Sequence, residues 1–159
     1  MSTAVAETGE MARLEIRKGV DGRLAVGGLE LVACRREVGE IDGGITLYVW
    51  SALPDEAREL LRIDLFRNRP HYHAPAENEA ETRIPPEDPV AWGIDAITGR
   101  APELLRQGGF DGVAERVDLA ALAAAGPAMR ADFFDGLAEP TEVSYFEVPR
   151  AVLEGLTAS

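Results

Sequence analysis

Apolar and polar residues alternate through ARLEIR, with Leu14 and Ile16 on one side and Arg13, Glu15 and Arg17 on the other, the period of a half-buried strand. The turn signals Val20-Asp21-Gly22 and Gly27-Gly28 break up the chain before a second strand over about residues 29–38. Glu40-Ile41-Asp42-Gly43-Gly44 then turns into ITLYVW, a β-branched and aromatic run that predicts a central strand, so the two strands form a hairpin. After a loop or helical turn at 54–58, residues 59–66 predict another strand. It places Leu61, Ile63 and Leu65 on one face and Arg62, Asp64 and Phe66 on the other. Pro70 interrupts the ladder, and HYH resumes an extended path, which puts His71 and His73 on one face and Tyr72 on the other.

The period changes in the second half. Residues 76–89, AENEAETRIPPEDP, are acidic and carry prolines, and predict a solvated loop long enough to move. Asp88 then caps a helix with Pro89 in its first position, and Val90, Ile94 and Ile97 recur at helical spacing until Gly99 ends the run. Residues 102–106 predict a shorter helix closed by Gly108-Gly109. Asp118 caps LAALAAAG, and Pro127 opens AMRADFFDGL, where Met129 and Phe133 lie one turn apart. TEVSYFEV alternates again and returns the chain to the sheet before a last helix over about 149–156. Strands followed by helices predict an α+β fold, with a mostly antiparallel sheet from the N-terminal half packed by helices from the C-terminal half. The organisation expected is a disordered tail over 1–10 and a single domain over 11–159.

Composition removes several functions. At 159 residues, 46% apolar and 28% charged, the chain has the make-up of an ordinary globular domain. No apolar run approaches the ~20 residues of a membrane-spanning helix. MSTAVAETGE has neither the basic start nor the apolar stretch of a secretion signal. The single cysteine, Cys34, excludes an internal disulfide and a thiolate zinc cluster and points to a reducing, cytoplasmic setting; within LELVACRREV it is expected to be buried and inert. Sixteen basic residues against 28 acidic ones leave a net charge of −12, which repels polyanions, disfavours broad nucleic-acid or membrane-surface binding, and suits a basic protein partner. The glycine clusters have turn spacing, not that of a phosphate-binding loop. Trp50 with Tyr48, on one strand face, would line a pocket or fill the core, the core being the expected place, and Trp92 is expected as an anchor of helix to sheet.

One stretch concentrates chemistry. IDLFRNRPHYHAPAE, residues 63–77, holds both histidines of the chain. Two histidines on one strand face stand ~6.6–7 Å apart at Cα. With Asp64 or Glu77 they form a facial nitrogen and oxygen set suited to a divalent metal: zinc, iron or manganese. Arg67 or Arg69 would orient an anionic group. The same residues also allow phosphodiester cleavage, with His71 and His73 as acid and base and Arg67 or Arg69 holding the phosphate. A third reading makes the histidines a strand end and pairs Arg62, Arg67 and Arg69 with nearby acids on a solvated face.

HYHAPAE resembles the first metal motif of cupins, an H-x-H pair followed by a glutamate, although no histidine follows for that family's second motif. Over roughly residues 43–98, the order GGITLYVW, LLRIDLF, PHYH, acidic loop and a helix carrying Trp92 resembles small uncharacterised bacterial domains with a D-x-F then P-H-x-H signature. It is also loosely similar to TumE-type toxin proteins, a resemblance that implies a ribonuclease-like toxin. Three classes of function therefore stay open: a metal-binding or metal-dependent enzyme, an acidic adaptor for a basic protein, and such a toxin.

Overall fold

The computed structural model describes residues 10–85 and 87–157, so the tail expected over 1–10 lies, apart from Glu10, outside the described residues. Among the described residues eight strands form one sheet: β1 Met11–Lys18, β2 Gly22–Val26, β3 Leu29–Val38, β4 Asp42–Ser51, β5 Glu59–Phe66, β6 His71–His73, β7 Thr82–Arg83 and β8 Glu142–Pro149. Their spatial order is β7-β6-β5-β4-β3-β1-β8, with β2 beside the first half of β3, and every pairing is antiparallel. The helices are α1 Pro89–Gln107, α2 Asp111–Arg116, α3 Leu119–Ala124, the short turn α4 Gly126–Ala128 running into a π-helical segment Met129–Phe134, and α5 Arg150–Thr157. The fold is α+β, as the order of strand and helix patterns implies. No helix among the described residues is long and apolar enough to cross a membrane.

Register explains why the sheet has two unlike faces. One row across β3, β4, β5 and β6 is Ala33, Leu47, Ile63 and Tyr72, flanked by Leu31, Val49 and Leu61 on β3–β5. These side chains meet Ala96, Ile97, Leu104 and Leu105 of α1, Leu122 of α3, and Met129, Phe133 and Phe134 in a single apolar core. Tyr72 stacks on Trp92 of α1 at 5.5 Å between ring centroids, and its hydroxyl donates to Gln107 Oε1 at 2.8 Å. Trp92 is thus the anchor of helix to sheet. Tyr72→Phe leaves the stack intact and removes that hydrogen bond, so urea unfolding should show a loss of about 1 kcal/mol.

The opposite face contributes none of its residues to that core. Its rows are Val32, Tyr48, Arg62 and His73, and Cys34, Thr46, Asp64 and His71. Cys34 is fully buried, and burial pushes its thiol pKa up.

Several elements differ from those predicted. The region read as turns around residues 20–28 contains β2, whose Leu24 and Val26 lean on the core while Arg23 and Ala25 face out; five alternating residues between glycine turns are too short to show a period. The acidic loop supplies the two-residue β7, which pairs with β6. The helix expected to stop at Gly99 runs on through Pro102 to Gln107. An interior proline costs about 3 kcal/mol and a glycine about 1. Burying Leu104 and Leu105 returns roughly 1.5–3 kcal/mol each, so tertiary packing overrides the local stop. Helix α2, with Val113 and Ala114 buried, carries too few apolar positions to show in the pattern. Trp50, expected in the core, is 38% exposed on the polar face. With Tyr48 it lines a cavity of about 430 Å³ that also touches Lys18, Asp21, Glu30 and Glu59.

Candidate metal centre

The polar face is buried where β4, β5 and β6 run side by side. Thr46 lies opposite Asp64, and Asp64 opposite His71, so three polar side chains form one row across three strands. Thr46 is fully buried, and Asp64 and His71 nearly so. Thr46 Oγ1 donates to Asp64 Oδ1 at 2.7 Å, which leaves Oδ2 turned toward His71 Nε2 at 3.1 Å. Phe66 closes one side of His71, edge to face at 6.3 Å.

The turn that delivers His71 is tied down by Asp42. That buried carboxylate accepts from the backbone N–H groups of Gly43, Asn68 and Arg69 at 2.8, 2.9 and 2.8 Å. The carbonyl of Arg69 then sits 2.8 Å from His71 Nδ1. His73 is held likewise from the far side of β6, with Nδ1 2.7 Å from Asn78 O and 3.2 Å from Ala80 O. Asn78 shapes that loop by donating from Nδ2 to Ala74 O at 3.3 Å and accepting from Ala80 N at 3.1 Å.

Carbonyl oxygens only accept, so each Nδ1 carries its proton, and both rings present Nε2 as their second functional atom. Backbone carbonyls that fix the tautomer and orientation in this way are the usual outer partners of metal-binding histidines. For His71 the consequence is sharp. Nε2 faces Asp64 Oδ2 at 3.1 Å and Glu81 Oε2 at 3.7 Å. A bare lone pair there would point at two carboxylates. The ring is therefore either an imidazolium or the ligand of a cation. Burial works against charge on His71, but the hydrogen bonds to Asp64 and to the Arg69 carbonyl hold its pKa above the ordinary value. Burial also opposes charge on Asp64, yet hydrogen bonds from His71 and Thr46 hold its carboxyl below the usual range.

Asp64, His71 and His73 each offer one ligand atom, all within 4.8 Å of one another, and the two rings lie 5.1 Å apart at right angles. Ligands about 2.1 Å from a common ion stand roughly 3–3.5 Å apart, so side-chain adjustments of an ångström or so would close the set. Of the other sequence candidates, Glu77 lies 3.8 Å from the Arg58 guanidinium and does not join the group. Arg67 is held by Glu37 through two hydrogen bonds of 2.7 and 3.1 Å, and Arg69 reaches Glu81 at 3.3 Å. Arg62 pairs with Glu59 at 3.0 Å. The three arginines thus pair with acids.

Sequence reasoning did not single out Glu81, Thr46, Asp42 or Asn78. Thr46 had a visible signal, since it is the polar residue of ITLYVW on the face shared with Asp64 once the register is known. Glu81 had none, because the path of a loop ten residues past His71 is decided by contacts, not by period.

No curated protein and no solved structure matches the chain. A family described as a domain of unknown function, DUF7700, matches residues 14–131, a span that runs from β1 into the π-helical segment and includes Thr46, Asp64, His71, His73 and Glu81. Because that span is most of the chain, this protein belongs to the DUF7700 family.

Proposed function

We propose that this protein binds a divalent metal through Asp64 Oδ2, His71 Nε2 and His73 Nε2, with Glu81 close enough to add a second carboxylate. The single observation that carries the reading is the arrangement of the histidines. Both spend Nδ1 on backbone carbonyls, and one aims Nε2 at two carboxylates. Two nitrogens with one or two oxygens suit zinc, iron or manganese, the set that a facial triad with open positions accepts. Such an ion would supply a Lewis acid able to polarise a carbonyl or phosphoryl oxygen. The protein's own part is to hold the ligand tautomers, through Arg69, Asn78 and Ala80, and to keep Asp64 ionised, through Thr46.

A metal-free acid–base pair is the second reading, supported by a His71 that stays protonated beside His73. Arg67 and Arg69, the residues that would clamp a phosphate, are each held by a carboxylate, which counts against it.

Elemental analysis of untagged protein tests the proposal. Close to one ion per chain is expected in the wild type and almost none in His71→Ala/His73→Ala. The same ion retained by the double variant, or none in wild type after dialysis against zinc, iron(II) and manganese, would overturn it.

A further inference from the structure

The sheet face that carries the three candidate ligands also carries a cation that has no counter-ion among the described residues. Arg36 on β3 is half-buried and shares the side of the pleat with Cys34, two residues earlier. Cys34 begins the row that passes through Thr46 to Asp64. The Arg36 and Asp64 Cα atoms are two strands and two residue steps apart, roughly 12 Å, with both side chains rising from the same face. Arg36 pairs with Gly44 and Gly44 with Phe66, so no side chain of β4 stands between Arg36 and the neighbouring strand, and Arg36 rises from the same face as Thr46 and Asp64. Arg62, Arg67 and Arg69 are each neutralised by a glutamate. Arg36 makes no ion pair and no hydrogen bond among the described residues. The hydroxyl of Tyr48, next along β4 on the same face, is likewise without a hydrogen bond among them, and burial holds it in the phenol form.

No acid engages the Arg36 guanidinium among the described residues, and its planar fork matches the two oxygens of a carboxylate or phosphate. The charge count agrees. A divalent ion on Asp64 and two neutral imidazoles keeps one positive charge, Glu81 being already engaged by Arg69, and Arg36 adds a second.

We propose that the metal centre takes a ligand bearing an oxyanion, a carboxylate or a phosphate, with Arg36 as its anchor and the Tyr48 hydroxyl as an additional donor. This inference rests on the metal reading. One oxygen of the ligand faces the ion at its open side while the others meet Arg36 and Tyr48. Tyr48 also lines, with Trp50, the cavity of about 430 Å³ on the same face of β4.

The test is calorimetric titration of inorganic phosphate, and separately of oxalate, into protein whose metal content has been measured first. Arg36→Gln should keep the metal content of wild type and bind the preferred anion at least about tenfold more weakly, with Arg36→Lys between the two. Tyr48→Phe should weaken it by less. Tighter binding of phosphate than of oxalate assigns a phosphoryl ligand, and the reverse a carboxylate. Metal-loaded wild type that binds neither anion, or Arg36→Gln that retains both metal and full anion affinity, would overturn the inference while leaving the metal centre standing. Wild type that takes up no metal would instead remove the metal reading, and this one with it.

Discussion

Replacing Asp64 by asparagine is expected to weaken divalent-metal binding by at least about 100-fold while changing the stability of the metal-free fold by no more than about 1 kcal/mol. The amide oxygen still accepts from Thr46, and the amide nitrogen donates to the lone pair of a neutral His71. Every partner is satisfied, but the charged ligand is gone. Asp64→Ala behaves differently, because His71 and Thr46 are then both left facing a gap. A cost of about 3 kcal/mol is expected from denaturant unfolding at pH 6, where the wild-type pair is charged.

The pH dependence follows from the two shifts. The folded pKa of His71 lies above its ordinary 6.5, so its contribution to stability is complete below that value and is lost as pH rises through the raised one. The folded pKa of Asp64 lies below its ordinary 3.8, so its contribution is present above that value and is lost as pH falls through the lowered one. Metal-free wild type should therefore lose stability on both sides of a mildly acidic to neutral window, and Asp64→Asn should flatten the profile. Metal reverses the alkaline side. It competes with the proton for His71 Nε2, so added zinc should stabilise the wild type more at pH 8 than at pH 6; the whole effect at pH 8 is about 2.7 kcal/mol when free zinc is a hundredfold above its dissociation constant at that pH. Thermal unfolding with and without zinc reads this directly; an equal zinc effect at both pH values would mean that the ion binds elsewhere.

Gly44→Ala should cost the fold about 3 kcal/mol or more. Gly44 sits at φ +150, and a Cβ there would clash with the carbonyl oxygen of Leu65 and lie 3.1 Å from the Cα of Phe66. Both are backbone atoms of the neighbouring strand, and Gly44 pairs directly with Phe66. Neither can retreat without opening the β4–β5 ladder that sets Thr46 opposite Asp64. Whatever fraction of this variant folds should bind metal less tightly than wild type, although the substituted residue touches no ligand. Gly43→Ala is the control, since the three atoms nearest the added methyl there all belong to the end of the Glu37 side chain, which can turn aside at the cost of its exposed contact with Arg67. Urea unfolding of the two variants should place Gly43→Ala much nearer to wild type.

Much of this molecule was legible because its strands are half-buried and alternate. The bounds of β3 and β5 follow from the pattern alone, and the period of two already put His71 and His73 on one face and Tyr72 on the other. The presence of Asp64 on the polar side of β5 was equally readable. What failed were the elements whose local signals are weak or contrary. The five residues of β2 are too few for a period, and Gly99 and Pro102 are stop signals that the burial of Leu104 and Leu105 outweighs. Trp50 looked like a core residue because its neighbours in ITLYVW are apolar, yet even-numbered positions on β4 face away from the helices.

The sequence by itself determined the α+β order, the alternation that sorts each strand into two faces, and the placing of two histidines and an aspartate on the polar one. The tertiary structure alone decided register, and so which carboxylate meets which imidazole. Asp64 stands across from His71 because β6 folds back on β5 through a turn gathered by Asp42, which lies 26 and 27 residues before the amides it binds there. Glu81 arrives, and Glu77 does not, because the loop after β6 is shaped by hydrogen bonds at Asn78. Such long-range contacts leave no periodic trace along the chain, which is why the residues of the candidate site could be named in advance and their geometry could not.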